Sequence, residues 1–206
     1  MRFNTALVRT NTAVLLTFVL ASPVAARISD SQSSVDVVQT STVRIDNFGL
    51  VNPNYYRGAQ PKGQDYADLA ALGVKTLINL TSDDAQTNEK SLTERAGMRY
   101  FQIPMTTHRP PTPAQLTEFL KLVRDPVNQP VFVHCVGGRH RTGVMTAVYR
   151  MTQDGWAADR AFKEMKQYKF GADFLHSEFK AFVYGFSPKA HLAATEAAVS
   201  PTKAGG

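Results

Sequence analysis

The sequence of 206 residues contains a single cysteine, Cys135. One cysteine cannot form a disulfide within its own chain, and it cannot build a zinc site that needs several cysteines. A lone cysteine is most often a small buried hydrophobic residue. Whether this thiol has a catalytic role must therefore be inferred from the residues around Cys135.

The sequence also lacks a long run of lysine and arginine, although it carries 23 of these residues against 17 Asp and Glu, for a net charge of +6. No basic patch interleaved with aromatic residues is present either, so we expect no nucleic-acid partner. The positive balance favours an anionic ligand. A hydrophobic fraction of 43% with 19% charged residues is typical of a folded chain, and the length suits one domain plus tails.

The N-terminal apolar run, residues 12–21, is too short for a comfortable membrane span. Arg2 and Arg9 precede this run, and the small residues of "SPVAA" follow it. This is the pattern of a secretory signal peptide over residues 1–26, with an uncleaved anchor as the alternative. We therefore expect an exported protein, periplasmic or secreted, that does not stay inserted in a membrane once the signal is cleaved.

Composition divides the rest of the chain into three parts, and no internal repeat is present. Residues 27–42 are rich in Ser, Gln and Thr and predict a linker. Residues 43–188 predict one domain. Residues 189–206 are rich in Ala and end in small residues, which predicts a frayed helix and a flexible tail.

Inside the domain, apolar runs alternate with helical patterns, which predicts an α/β fold. We expect short edge strands in "VRIDNFGLV" and "YYRGAQ", and buried strands in "VKTLINL", "MRYFQIPM" and "PVFVHC". We expect helices in "GQDYADLAALG", "QTNEKSLTERAG" and "TPAQLTEFLKLVRD", then three more after residue 141. The result is a central, mostly parallel sheet flanked by helices, with a helical C-terminal half.

Cys135 lies between the predicted central strand and a helix that begins at about Arg141. The connecting cysteine loop, Val136 to His140, contains two glycines. Glycines allow successive backbone N–H groups to approach an anion, and the positive end of the following helix points to the same place. A helix N-terminus and a neighbouring arginine also favour a thiolate over a thiol. The sequence therefore predicts an oxyanion cradle with a nucleophilic sulfur at its base.

These residue types suit the transfer of a phosphoryl group through a phosphocysteine without a metal or another cofactor. Arg141 offers a planar fork that can hold two phosphate oxygens. Thr142 can donate a hydrogen bond to the sulfur when it leaves, and His134 can support the loop. We expect the phosphate to contact Val136, Gly137, Gly138, Arg139, His140 and Arg141.

Two simpler interpretations apply to the histidines here. His134 can be a structural residue at a strand end, and His140 can be a loop-packing residue. A zinc site formed by Cys135, His134, His140 and His108 would have suitable ligand types, but the spacing matches no ligand motif. The sequence therefore predicts no metal site.

The stretch "HCVGGRHRTG" resembles the signature H-C-x-x-G-x-x-R-[ST]-G of the cysteine-dependent protein tyrosine and dual-specificity phosphatases. The resemblance extends through "YYRGAQP", "GVKTLINL", "IPM" and "GWAADRAFKEM", from about residue 43 to 184, and is greatest to the compact bacterial dual-specificity-like enzymes. It implies that Cys135 is the nucleophile, that Arg141 binds phosphate and stabilises the transition state, and that Thr142 assists breakdown of the intermediate.

The sequence departs from that family at the general acid. The family usually carries an aspartate some 30 residues before the cysteine, but "IPMTTHRPPTPAQ" contains no Asp or Glu. His108 is the residue there that titrates near neutral pH. Asp83 and Asp84, after the preceding strand, are the other candidates. Each of the three has a simpler explanation, as an exposed loop histidine or as helix caps.

The substrate is less defined by the sequence. Phosphotyrosine is the first expected substrate, joined by phosphoserine and phosphothreonine if the pocket is shallow. The partner would then be a phosphorylated protein or a small phosphate ester. We also expect the enzyme to be a monomer. Arg139 and His140 resemble a Lys-His pair in plant and fungal enzymes that act on inositol pyrophosphates, and phosphoinositides are a related alternative. A rhodanese-like sulfurtransferase and a phosphate-binding pseudo-phosphatase are the alternatives of another class.

Overall fold

The computed structural model describes residues 43–82 and 86–199. Its strands are β1 (Gly49–Asn52), β2 (Tyr55–Ala59), β3 (Thr76–Asn79), β4 (Arg99–Gln102) and β5 (Val131–Cys135). They form one sheet in the order β1-β2-β5-β3-β4. β1 pairs antiparallel with β2, whereas the other neighbouring strands are parallel. The predicted mostly parallel sheet with β5 at its centre is confirmed.

Helices alternate with these strands and then fill the C-terminal half, as predicted. They are α1 (Asp65–Ala71), α2 (Glu89–Arg95), α3 (Pro113–Arg124), α4 (Arg141–Gln153), α5 (Ala158–Gln167), α6 (Ser177–Gly185) and α7 (Pro188–Val199). α3 begins with a threonine cap, since Thr112 and Gln115 form a reciprocal capping box and proline occupies the first turn.

The prediction that β2 is an edge strand is wrong. β2 lies between β1 and β5, and its residues Arg57 and Gly58 are buried. An arginine and a glycine in a short strand are typical of an exposed edge, because neither adds to an apolar core. Here both contact the cysteine loop, so a requirement of the site takes precedence over strand propensity.

The core has two layers, one on each face of the sheet. One layer is built from α3, α4, α5 and α6 and contains Phe119, Val148 and Phe179. The other is built from α1, α2 and the facing side chains of the strands, and it contains Leu69, Leu77 and Phe132. Helices on both faces explain why every residue of β3 and β5 is buried.

Strand alternation assigns the two residues before the loop to opposite faces. Val133 and Cys135 belong to the layer of α3 to α6, whereas Phe132 belongs to the other layer. The ring of His134 stacks on Phe132, with 5.8 Å between centroids, so His134 points to that second face. Successive residues of a strand point in opposite directions, and the cysteine therefore faces the helical layer while its neighbour does not.

Residues 188–199 form α7, in the stretch where the sequence predicts a frayed helix and tail. His191 and Leu192 face Leu120 and Arg124 of α3 across a surface groove. The predicted signal peptide, the linker and residues 200–206 lie outside the described residues. In the part of the chain that is described, no helix combines the length and the apolar character needed to cross a bilayer.

Candidate active site

Cys135 is the last residue of β5 and is only 3% exposed. The neighbouring strands end at the same edge of the sheet, because Ala59 is in register with Cys135 and Asn79 with His134. α4 begins at Arg141, so strand, loop and helix follow one another as predicted. This carboxyl edge of a parallel sheet is where α/β proteins usually bind their ligands.

Every carbonyl of the cysteine loop is occupied by a donor. The pairs are Gln60 N to Val136 O (3.2 Å), Asn47 Nδ2 to Gly137 O (2.8 Å), Arg57 Nη2 to Gly138 O (2.7 Å), Gly143 N to Arg139 O (3.1 Å) and Val144 N to His140 O (2.8 Å). The backbone N–H groups of residues 137–140, in contrast, donate to no acceptor in the described part of the chain. Paired carbonyls and unpaired N–H groups make a loop that offers donors to an anion.

Gly138 adopts a left-handed conformation with φ of +62°. A Cβ at this position would lie 2.4 Å from the carbonyl carbon of Gly58 in β2. Only glycine satisfies both conditions, the backbone conformation and the close approach to the neighbouring strand. The second glycine of the predicted cradle therefore has a defined structural requirement.

Arg141 is buried at the first turn of α4, and its Nη1 donates to the carbonyl oxygen of Met105 at 3.1 Å. Met105 follows β4, so this hydrogen bond joins the loop after β4 to the start of α4. The guanidinium is thereby held at the pocket that contains Cys135. A planar group fixed in this way can present two parallel N–H donors to a phosphate.

The hydroxyl of Thr142 is fully buried, and its Oγ1 has no hydrogen-bond partner among the described residues. An unpaired buried hydroxyl costs free energy, on the order of 1–3 kcal/mol. Thr142 directly follows Arg141, so the hydroxyl lies in the first turn of α4. This leaves an unpaired donor in the first turn of α4, two residues after the cysteine loop ends.

His134 lies behind the cysteine, in a buried polar network that the sequence analysis missed. Its Nε2 is 3.2 Å from Oε1 of Glu89, and both side chains are fully buried. Glu89 accepts hydrogen bonds from Asn79 and from Tyr66, whose pKa is raised by burial and by the nearby carboxylate. Neither ring nitrogen of His134 makes a hydrogen bond among the described residues, so the ring is held by packing on Phe132 and by its close approach to Glu89 of α2.

Arg57 is the second residue that sequence reasoning missed. It is fully buried, and no carboxylate of the described residues lies within ion-pair distance. Its guanidinium lies 3.9 Å from the ring centroid of Tyr168 and donates to Gly138. Burial lowers the pKa of Arg57, opposed by the nearby phenols and by Cys135. The stretch "YYRGAQP" predicts a strand and carries part of the family resemblance, and its arginine is the sequence signal that points to a partner for an anionic site.

The pocket over Cys135 is bounded by the loop after β4 on one side and by the cysteine loop on the other. Its lining consists of Thr107, Cys135, Val136, Gly137, Arg139, His140 and Arg141. All the predicted phosphate-binding residues except Gly138 line it, since Gly138 is buried against β2. Arg139 is exposed, so the pocket has a basic edge.

The rim of the site consists of residues 106–110 and 170–178. His108 is exposed and stacks on His176, with 5.7 Å between ring centroids. His176 in turn lies 3.7 Å from the ring centroid of His140. Nε2 of His140 donates to the carbonyl oxygen of Phe170 at 2.9 Å, and the pKa of His140 is lowered by burial and by the neighbouring positive groups. His140 therefore packs against the rim, as one of its two interpretations proposed.

The candidates for the general acid lie either outside the pocket lining or outside the described residues. His108 is at the rim but does not line the pocket. Asp83 and Asp84 lie outside the described residues. The zinc set considered from the sequence does not form either: among the described residues, the His, Cys, Asp and Glu side chains that could share a metal ion are His108, His176 and Glu178, without Cys135 or His134.

Comparison with known proteins places this site in a family. The sequence model of the tyrosine phosphatase family matches residues 42–195. The dual specificity protein phosphatase TpbA of Pseudomonas aeruginosa is 30% identical over 173 residues, which cover 84% of this chain and 77% of that protein. The inositol diphosphatase SIW14 of Saccharomyces cerevisiae is 27% identical over 139 residues, and the match spans 65% of this chain and 49% of that protein.

Solved structures show the same fold. The crystal structure of P. aeruginosa TpbA matches with a TM-score of 0.62 and 28% identity, covering 73% of this chain and 91% of that one. The catalytic domain of the yeast SIW14 phosphatase matches with a TM-score of 0.64 and 23% identity, covering 76% of this chain and 96% of that one. The family match over most of the domain, together with the geometry around Cys135, shows that this chain is a phosphatase of the tyrosine phosphatase family.

Proposed function

We propose that this enzyme hydrolyses phosphomonoesters through a phosphocysteine formed on Cys135. The observation that carries the proposal is the cysteine loop, whose carbonyls are all paired and whose N–H groups at residues 137–140 are unpaired in the described structure. Such a loop binds the three equatorial oxygens of a phosphoryl group in transit. The buried Arg141 adds a bidentate contact to the same group.

The reaction has two steps, transfer of the phosphoryl group to Cys135 and hydrolysis of the phosphocysteine. The thiolate of Cys135 attacks phosphorus, the S–P bond forms, and the bond from phosphorus to the leaving oxygen breaks. The leaving oxygen takes a proton from an acid or from water. Water then attacks phosphorus, the S–P bond breaks, and phosphate and thiolate are regenerated. The buried hydroxyl of Thr142 supplies a hydrogen bond to the sulfur as it leaves.

Aryl phosphates, with phosphotyrosine as the first candidate, are the substrates we propose. One structure of the relative TpbA is a complex with phosphotyrosine. The rim of this chain contains no carboxylate in residues 106–110, and aryl leaving groups need a proton less than alkyl ones. Phosphoserine and phosphothreonine are therefore expected to react more slowly.

Inositol polyphosphates or pyrophosphates form a second candidate class, favoured by the basic edge of the pocket. Arg139 is exposed beside Arg141 and His140, and relatives in yeast and plants are inositol diphosphatases. Phosphoanhydrides, like aryl phosphates, have a leaving group that needs little protonation. Comparing kcat/KM for a phosphotyrosine peptide and for an inositol pyrophosphate decides between the two classes.

We propose Asp83 or Asp84 as the source of the proton for less activated substrates, with His108 as the weaker candidate. The two aspartates follow β3, and the carboxyl end of β3 lies at the same edge of the sheet as Cys135. His108, although exposed, is stacked on His176 rather than pointing into the pocket lining.

Export is proposed from the N-terminal pattern of residues 1–26. The measurement is N-terminal sequencing of the protein recovered from the periplasm or the medium, which should begin near Arg27. Soluble cytoplasmic protein that begins at Met1 would contradict export. A monomer is expected, and sedimentation of the purified enzyme measures it.

The decisive test of the chemistry is to trap the intermediate. The enzyme is mixed with p-nitrophenyl phosphate, quenched in acid within one turnover and digested for mass spectrometry. Because the chain has one cysteine, a phosphoryl group on the peptide containing Cys135 locates the intermediate unambiguously. Turnover without any labelled peptide, including in a Thr142→Ala variant that should slow its breakdown, would contradict the covalent mechanism. Absence of turnover and of labelling, with vanadate still bound, would support a pseudo-phosphatase.

A further inference from the structure

Two histidines and a glutamate meet at the rim of the active site. His108 comes from the loop after β4, whereas His176 and Glu178 come from the start of α6. Each offers one ligand atom, and these three atoms lie within 4.8 Å of one another. The sequence analysis does not include His176 or Glu178 in the predicted site, and the phosphatase chemistry proposed above requires neither of them.

The donor set is one that transition metals select. Imidazole nitrogen and carboxylate oxygen are ordinary ligands of Zn²⁺, and two histidines with one glutamate leave a further position open for water. Tetrahedral bonds of about 2.0–2.2 Å separate neighbouring ligand atoms by roughly 3.4 Å. The three ligand atoms lie up to 4.8 Å apart, so metal binding requires a shift of at most about 1.4 Å, and His108 is an exposed side chain that can make it.

His176 is already held in position for this role. Its ring packs on His140 at 3.7 Å and on Phe179 at 5.9 Å between centroids. Its Nδ1 lies 3.4 Å from Oε1 of Glu178. Ligands of metal sites are generally oriented by contacts of this kind in the surrounding shell. Two of the three donors are thus arranged before any ion arrives, and His108 completes the set.

We propose that His108, His176 and Glu178 bind one zinc-like transition-metal ion, and that the ion holds the loop of residues 106–110 against α6. Thr107, next to His108, lines the pocket over Cys135. Fixing that loop restricts entry to the pocket, so metal binding slows turnover reversibly. The surrounding charges moderate the affinity, because Glu178 is the one carboxylate of the set and His140, which packs on His176, is close enough to Arg139 and Arg141 to feel their positive charge.

Zinc binding is measured first, without reference to turnover. The full chain carrying Cys135→Ser, stripped of metal by a chelator, is titrated with Zn²⁺ by calorimetry. We expect one equivalent to bind, at least 10-fold weaker binding in added His108→Ala and Glu178→Gln variants, and no change in His191→Ala, which alters a histidine of α7. Equal affinity in the His108→Ala and parent proteins would overturn the site. So would zinc binding by wild-type enzyme that disappears in Cys135→Ser, since the thiolate would then be the ligand.

Inhibition tests the effect on the loop. Zn²⁺ should slow hydrolysis of p-nitrophenyl phosphate by the wild type, EDTA should restore the rate, and His108→Ala should need at least 10-fold more Zn²⁺ for the same fractional loss. His108 is exposed and is not part of the core, so we expect the His108→Ala protein to fold like the wild type, and the two inhibition curves can be compared directly. Zinc that binds at the site without changing the rate, or that inhibits both proteins equally, would overturn the proposed restraint of the loop. Because the calorimetric arm needs no activity, it stands even if the phosphatase reaction proposed above fails.

Discussion

The base and the rim of this active site are constructed in different ways. At the base, Cys135, Arg141 and Thr142 are buried, and the cysteine loop is held by five paired carbonyls. At the rim, His108 and Arg109 are exposed, and the contacts among His108, His140 and His176 are mainly between rings. A loop whose carbonyls are all paired keeps one geometry for one reaction step. An exposed rim can change its residues with little cost in stability, so it is suited to selecting substrates.

The comparison predicts its largest effect at the nucleophile. Cys135→Ser should abolish turnover yet retain the binding of vanadate or phosphate, because the loop N–H groups and Arg141 remain in place. Steady-state kinetics and calorimetry measure the two properties separately. Substantial residual activity in purified Cys135→Ser protein would mean that the base does not act through a covalent sulfur intermediate.

Arg141→Lys should lower kcat/KM by about three orders of magnitude, because one ammonium group cannot replace two parallel guanidinium donors in the transition state. The hydrogen bond from Arg141 to Met105 would be lost as well. Kinetics on p-nitrophenyl phosphate measure the effect. A decrease of only a few-fold would show that another residue, such as Arg139, is the principal ligand of the phosphoryl group.

Arg57→Lys should lower kcat by about 10- to 100-fold, the range seen when a group that orients a site is altered. Lysine can neither stack flat on Tyr168 nor reach Gly138 with the same fork. Vanadate affinity should weaken in parallel. If the variant and the wild type have the same thermal stability, a purely structural role of Arg57 would not produce that loss of affinity. The matched control is Arg99→Lys on the edge strand β4, which should retain full activity. Unchanged vanadate binding in Arg57→Lys would contradict a role of Arg57 in shaping the anion-binding loop.

The smallest effect is expected at the rim. His108→Ala should slow hydrolysis of an alkyl phosphate by less than about 10-fold, well short of the roughly 10²–10⁴ lost with a positioned general acid. Asp83→Asn or Asp84→Asn should cost more, and that cost should shrink on p-nitrophenyl phosphate. The assignment would be wrong if His108→Ala lost about 100-fold on the alkyl substrate alone and moved the acidic limb of the pH profile.

Local patterns were sufficient to predict the base and insufficient to predict what supports it. The strand "PVFVHC", the two glycines and Arg141 lie together in the sequence, so their geometry follows from short-range rules. Arg57 of β2 contacts Gly138, which lies 81 residues later in the sequence. Glu89 of α2 contacts His134, which lies several tens of residues later. Their burial depends on tertiary contacts, and composition gives no measure of it. An arginine in a short strand and a glutamate in a polar helix both predict exposed residues.

The rim could be predicted least. The sequence analysis named His108 and His140, but nothing in the spacing of His176 or Glu178 indicates that they lie beside them. These side chains meet because α6 returns to the carboxyl edge of the sheet after two intervening helices. Such a return is a property of helix packing, and it becomes visible only in three dimensions.

The contact between Gly58 and Gly138 has a consequence for how the enzyme is assembled. The turn at Gly138 rests on the backbone of β2, with no room for a single methyl group between them. Since β2 precedes the cysteine by about half of the domain, a newly made chain holds no competent anion site until its early and late halves have joined. The catalytic signature is therefore contiguous in the gene but not autonomous as a folding unit. A fragment that begins after β2 would carry every residue of the signature and still lack the surface against which its loop is shaped.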